Sequence, residues 1–357
     1  MTDDERVTDG EAVALLEEMV GIPSLSGQEG VLAAQIARAM GDLGFGAEVD
    51  GAGNAVGHIG DGPRHIALVG HMDTVPGEVP VRREGDLLYG RGAVDAKGPL
   101  AAFIVAAARA GRVADLRISV VGAVEEEAAT SKGARHVSGR MRPDYAVIGE
   151  PSGWSRVTIG YKGRLLIDYA LTQPAAHSAG EARGAPEEAL AFWQRVADWA
   201  EEANRDIEGR FATVDPSLRA IRSSSDGLAE RVEMTIGLRL PLGLDVDGLL
   251  AQIEAWRGEA EVTTRGREAA YRAEKRTPLA AAFLAAIRAE GERPAFVTKT
   301  GTSDMNVLGP LWGCPMVAYG PGDSSLDHTP DEHIDLGEYL RSIRVLEGVL
   351  GRLGERP

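Results

Sequence analysis

The chain has 357 residues, 44% of them hydrophobic, and a formal net charge of -16 from 54 acids against 38 bases. That surplus would repel a phosphate backbone, which excludes nucleic acid as a partner, and the length exceeds what one hydrophobic core commonly supports. Cys314 is the only cysteine, the N-terminus is acidic with no apolar signal core, and no apolar run reaches the roughly 18 residues of a membrane span. A cytoplasmic protein with no intrachain disulfide and no membrane partner is expected.

The first elements alternate between helix and strand. Leu32, Ile36, Met40 and Leu43 recur at helical spacing, and Ile66 to Val69 form a short buried-strand run that stops at Gly70-His71. Pro99 is expected to open an alanine-rich helix through Ala108. Leu116 to Val124 and Tyr145 to Ile148 read as further strands, each ending at an acidic island. This is the pattern of an α/β sheet whose ligand site lies beyond the carboxyl ends of its strands.

After Pro151 the period changes to two. Leu165, Ile167, Tyr169 and Leu171 alternate with other residues, as do Val232, Met234, Ile236, Leu238 and Leu240, predicting half-buried antiparallel strands. Helix-like segments at Pro186 to Ala200 and Val246 to Trp256, then a strand at Glu261 to Thr264, complete a β-α-β-β-α-β order. A small α+β domain over residues 160–273 is therefore expected to interrupt a discontinuous catalytic domain made of 1–159 and 274–357. A helix from Pro278, a strand at Met316 to Tyr319 and a last helix capped by Asp335, with Glu338 completing a capping box, finish the chain.

Five islands stand at the ends of apolar runs: Gly70-His71-Met72-Asp73, Asp95-Ala96-Lys97-Gly98, Glu125-Glu126-Glu127, Gly149-Glu150-Pro151 and Leu326-Asp327-His328. Their imidazoles and carboxylates suffice for two divalent cations sharing a bridging carboxylate, with acids left over for proton transfer. Strand periodicity puts His71 and Asp73 on one side of the backbone, where Asp73 can orient the ring. Three successive acids after a buried strand are costly without positive charge beside them. A metal pair supplies it, one glutamate ligating and its neighbour acting as general base. Each island alone also reads as a cap or solvated turn; their joint occurrence argues for a site.

The islands resemble, in order and over nearly the whole chain from Ile22-Pro23-Ser24 onward, the metallopeptidase family that includes succinyl-diaminopimelate desuccinylase, acetylornithine deacetylase and glutamate carboxypeptidase. The resemblance implies a zinc-exopeptidase-like α/β catalytic domain with a central mixed sheet, and an inserted dimerisation or lid domain. It implies two divalent metals per subunit, zinc or cobalt: His71 and Glu127 on one, Glu150 and His328 on the other, Asp95 bridging, Glu126 as base and Asp73 in support. Glu125 with Glu126 is an alternative register; aligning Gly133-Ala134 favours Glu126 with Glu127. His177 is similar to a histidine that reaches the other protomer's site to stabilise an oxyanion, which implies a homodimer.

Within the family, Asp95 to Pro99, Gly160 to Arg164 and Lys299 to Asn306 look most like the branch that releases lysine or ornithine from an amino-group carrier protein by cleaving a γ-glutamyl amide in amino-acid biosynthesis. Lys299, Arg164 and Lys162 could bind a substrate carboxylate, with Gly301 and Thr302 beside them. The competing expectations are a small N-acyl amino acid deacylase, a dipeptidase, and a non-catalytic binding protein on a retired hydrolase scaffold.

Overall fold

In the computed structural model, residues 7–111, 115–175 and 183–355 are described. They form two compact units: Met1–Gly160 with Ala273–Thr298 and Ser303–Pro357, and Tyr161–Arg272 with Lys299–Thr302. Residues Lys299–Thr302 thus cluster with the second unit, unlike the expected division at 274. Their attachment is local: Lys162 N–H donates to the Lys299 carbonyl (3.3 Å), and Thr302 Oγ1 donates to the Lys162 carbonyl (3.0 Å).

The first unit is built on a mixed sheet. Its centre is Arg64–His71, flanked in parallel by Leu116–Ala123 on one side and Tyr145–Gly149 on the other, with Met316–Ala318 parallel beyond Tyr145–Gly149. Ala55–Ile59 pairs antiparallel with Leu116–Ala123 and makes the sheet mixed. Arg64–His71 is buried from His65 onward, as a strand covered on both faces must be. The crossover to Leu116–Ala123 is the helix Lys97–Ala110, buried from Lys97 to Arg109. It starts two residues before the expected Pro99, because first-turn amides need no intrahelical partner and proline is tolerated among them. This helix lies close on the sheet where strand-end glycines allow it. A Cβ at Gly70 would come within 3.2 Å of Leu100 Cβ, and one at Gly149 within 2.9 Å of the Phe103 ring.

The last helix, Leu336–Gly354, packs against Lys97–Ala110 and against Pro278–Ala289, and Tyr339 donates to the Ala12 carbonyl (3.0 Å). Core residues from both ends of the chain, Leu16 and Met19 with Ile343 and Leu346, therefore share one cluster. Asp335 does cap this helix, accepting from Glu338 N–H, but the expected capping box is absent. The Glu338 carboxylate instead accepts from Trp154 N–H (2.9 Å) and Gly322 N–H (3.1 Å), backbone amides that otherwise lack a partner. A small sheet of Arg82–Glu84, Leu87–Tyr89 and His333–Asp335 joins two distant loops of this unit, with His333 opposite Tyr89.

The second unit has an antiparallel sheet in the order Asp215–Ser225, Ala229–Leu240, Gly163–Pro174, Glu261–Glu268. Helices Ala185–Asn204 and Val246–Trp256 cover one face, where Leu165, Ile167, Tyr169, Met234 and Ile236 meet Phe192, Val196, Leu249 and Ile253. The period-two pattern is satisfied by this one-sided burial. The edge strand Asp215–Ser225 is largely exposed, Leu218 and Ile221 included.

Candidate metal centre

Parallel strands deliver their carboxyl ends to one edge, so His71, Val124 to Glu127 and Glu150 leave neighbouring strands side by side. Asp95 comes from the loop before the helix Lys97–Ala110, and His328 from the loop before the small sheet. One donor atom each from His71, Asp95 and Glu127 lies within 4.8 Å of the others. Asp95 faces both imidazoles: Oδ1 is 3.1 Å from His71 Nε2, and Oδ2 is 3.0 Å from His328 Nε2. That two-sided presentation suits a carboxylate shared between two cations. Glu127 Oε1 lies 2.7 Å from His328 Nε2.

Glu127 is common to both imidazoles: it joins His71 and Asp95 in one donor cluster and meets His328 as well. Glu150 emerges beside His71 because Gly70 and Gly149 are register partners on adjacent strands. Chain order did not reveal this; sheet order did.

The acidic turn is held by side chains. Val124 N–H donates to Asn54 Oδ1 (3.0 Å), Glu125 N–H to Glu29 Oε1 (3.1 Å), Glu126 N–H to Asp73 Oδ1 (3.0 Å) and Glu127 N–H to Asp73 Oδ2 (3.0 Å). Four successive amides that strand pairing would otherwise satisfy are thus bound by three carboxamide or carboxylate groups. Asp73 also accepts from Ser26 Oγ (2.6 Å), and His71 Nδ1 donates to the Asp73 carbonyl (3.0 Å), which leaves Nε2 facing Asp95. The sequence expectation of ring orientation by Asp73 therefore involves its backbone oxygen as well as its carboxylate. Glu29, Asn54 and Ser26 carry no local signal, since each acts on residues far along the chain.

Glu125 turns away: its carboxylate accepts from Thr130 Oγ1 (2.7 Å) and lies 3.3 Å from Lys132 Nζ. Its φ of 57°, like the 60° of His328, lies in the left-handed region, a conformation costing of order 1 kcal/mol that such sites commonly retain. The alternative base-and-ligand pair of Glu125 and Glu126 has no support in this geometry.

Electrostatics fit a cation site. Burial pushes the carboxyls of Glu126, Glu127 and Glu150 up, and repulsion from nearby carboxylates adds to it: Asp304 and Glu127 on Glu126, Asp95 on Glu127, Glu126 and Asp95 on Glu150. Asp95 is held low despite burial, because His328 and His71 both bond to it. His328 is raised to about 10 by Asp95 and Glu127, and His71 is raised, against its burial, by Asp73 and Asp95. The carboxylates that raise both imidazoles make a site that attracts positive charge, and a mixed nitrogen and oxygen donor set matches zinc and its neighbours.

The other expected residues belong to the second unit or fall outside the described residues. The Lys162 ammonium is fully buried within the second unit, donating to Asp215 Oδ2 (2.6 Å), Thr213 O (2.5 Å) and Thr213 Oγ1 (3.2 Å), so it is a structural ion pair and not a substrate contact. Arg164 and Lys299 are half-buried in the same unit, as are Gly301 and Thr302. Thr302 Oγ1 accepts from Arg239, a cation opposite Arg164 in the sheet that sequence reasoning passed over (2.7 Å). His177 lies outside the described residues. Cys314 is partly buried, which lifts its thiol to about 11. Among the described residues no helix is long and apolar enough to cross a membrane.

A mixed α/β sheet with imidazole and carboxylates gathered at its strand ends defines the metal-binding hydrolase class. The chain belongs to the peptidase family M20/M25/M40, whose sequence model matches residues 67–352, and it is a metallohydrolase acting on amide bonds. It is similar to a LysW-lysine hydrolase of Deinococcus radiodurans, 47% identical over 348 residues, covering 95% of this chain and 96% of that one. A putative LysW-lysine/LysW-ornithine hydrolase of Thermococcus kodakarensis is 40% identical, with 97% and 93% covered. Among solved structures, the metallo-carboxypeptidase Sso-CP2 of Sulfolobus solfataricus shares the fold, with a TM-score of 0.80 at 17% identity over 96% and 99% of the two chains.

Proposed function

We propose that the protein hydrolyses the amide joining lysine, or ornithine, to the carrier protein LysW, releasing the free amino acid in a biosynthetic pathway. The observation that carries this reading is the 47% identity, over 95% of the chain, to a LysW-lysine hydrolase.

Two divalent cations, zinc or cobalt, would be held by His71, Asp95, Glu127, Glu150 and His328, with Asp95 facing both imidazoles. When bound, they acidify a water and polarise the scissile carbonyl. Glu126, half-buried near His71 and raised well above the usual carboxylate range by desolvation, takes the proton of the attacking water. The water oxygen bonds to the scissile carbon as the carbonyl electron pair moves onto its oxygen; when that pair returns, the C–N bond breaks and Glu126 gives the proton to the leaving amine. Asp73 holds the turn and the His71 ring in register. His177 is assigned the oxyanion role, contributed across a homodimer through the second unit; the exposed edge strand Asp215–Ser225 supports such pairing. Arg164, Lys299, Gly301 and Thr302 are assigned to a substrate carboxylate. The lone cysteine supports a cytoplasmic location.

The experiment is a substrate panel with zinc- or cobalt-loaded protein: carrier-linked lysine, carrier-linked ornithine, N-acetylornithine, N-succinyl-diaminopimelate and dipeptides. Free lysine or ornithine released from the carrier alone is expected. Preference for a small N-acyl amino acid overturns the substrate, and no hydrolysis by metal-loaded protein overturns the enzyme. Glu126→Gln should retain metal and lose about 10²–10⁴-fold in kcat.

A further inference from the structure

We propose that Glu332 is a positioning residue for the metal centre, tying the Asp95 loop to the His328 loop and so setting where the shared carboxylate stands between its two imidazoles. Its carboxylate is fully buried. Oε1 accepts from Val94 N–H and Asp95 N–H, both at 3.1 Å, and Oε2 accepts from Arg91 Nη1 at 2.7 Å. The Glu332 carbonyl accepts from Gly90 N–H (3.2 Å), and Arg91 Nε donates to the Gly77 carbonyl (2.8 Å). The hydrogen bonds of this side chain thus fall on the segment Gly90–Asp95, and its charge also acts on Lys97 just beyond it.

The other end of the link is covalent. Glu332 follows His328 by one short turn, and the next residue, His333, enters the small sheet opposite Tyr89, which delivers Gly90 and the loop after it. One acceptor-only group receives two backbone amides and a guanidinium; a neutral amide cannot, because one of its two heads is itself a donor. Asp95 reaches both imidazoles only if its backbone is fixed relative to His328, and the Asp95 amide is one of the two that Glu332 holds. Glu332 touches neither donor atoms nor substrate, and its action passes through Asp95.

This rests on the two-cation reading of the site. Glu332→Gln, the wild type and the control Arg109→Ala are compared by chelator competition for zinc, by the visible spectrum of the cobalt-loaded protein, and by thermal melting of the metal-free protein. Arg109 is buried at the far end of the helix Lys97–Ala110, about 20 Å along its axis from Asp95, and holds the Val7 carbonyl and Asp9. Glu332→Gln is expected to bind at least one zinc about 10–100-fold more weakly and to change the cobalt spectrum, while Arg109→Ala lowers only the melting temperature. Wild-type zinc affinity and an unaltered cobalt spectrum in Glu332→Gln overturn the proposal. A wild-type protein that takes up no cation overturns the two-cation reading and this proposal together. Should Glu332→Gln not fold, Arg91→Met, which frees only Oε2, is judged by the same two spectroscopic and affinity outcomes.

Discussion

Replacing Asp73 with asparagine keeps the shape of the side chain and removes its ability to serve two amides at once. In the native chain Oδ1 and Oδ2 accept from Glu126 N–H and Glu127 N–H, both at 3.0 Å, in a fully buried setting. In Asp73→Asn one of those amides must face an NH2 group. A charge-assisted hydrogen bond lost is worth about 1.5–3 kcal/mol and a buried donor left without a partner costs about 1–3 kcal/mol; the two together span about 2.5–6 kcal/mol, and the middle of that span, about 3–5 kcal/mol, is the expected loss. At about 2–4 °C per kcal/mol for a unit of this size, the melting temperature should fall by about 6–20 °C. Burial tends to raise the Asp73 carboxyl, but bonds from His71, Ser26 and Glu126 hold it below its ordinary 3.8. Its stabilisation is therefore complete above pH 4 and lost as pH falls through the lowered value, so the gap between wild type and variant should narrow in acid. Differential scanning calorimetry across pH, with metal analysis of the same samples, makes the measurement. A variant that melts with the wild type at pH 7 and keeps full metal content would refute the claim that Asp73 holds the Glu126-Glu127 turn.

Gly133→Ala would put a Cβ 2.4 Å from Asn54 Oδ1 and 2.5 Å from Val124 N, forcing apart the contact that anchors the acidic turn; a loss of about 1–3 kcal/mol and lower metal occupancy are expected, against little change in Gly139→Ala, where the nearest atom is 3.8 Å away. Removing metal with a chelator should abolish turnover and, if the ion had been present at about 100 times its Kd, cost about 2.7 kcal/mol, read as a fall of about 5–10 °C on melting. His65 is driven from 6.5 down to about 4 by burial and by Arg117. The folded chain thus refuses a proton that the unfolded chain takes below about pH 6.5, so stability should drop by about 2 kcal/mol, discounted for screening, between pH 6.5 and 4. His65→Gln should flatten that slope in urea melts.

What could be read from the chain were features written in local order. Ile66 to Val69 ends in His71 and Tyr145 to Ile148 ends in Glu150 because a doubly covered strand is apolar until it leaves the sheet, and polar donors there are visible as interruptions. What could not be read depended on which strands lie side by side. Glu150 belongs beside His71 through the Gly70 and Gly149 register, and nothing in the spacing of the islands encodes that adjacency. Lys162 looks in the sequence like any loop cation and is a buried partner of Asp215, fifty-odd residues away. Glu29, Asn54 and Glu332 look like ordinary surface polar residues until the amides they serve come within reach.

The first unit is assembled from both ends of the chain, whereas the second is nearly continuous. During synthesis the second unit has almost all its strands and both helices before Leu336–Gly354, the cover for Lys97–Ala110, has been made. The earlier half of the sheet must wait with that helix uncovered, so nascent chains stalled after residue 302 should hold a folded insert beside an unfinished core, the species most exposed to proteases and chaperones.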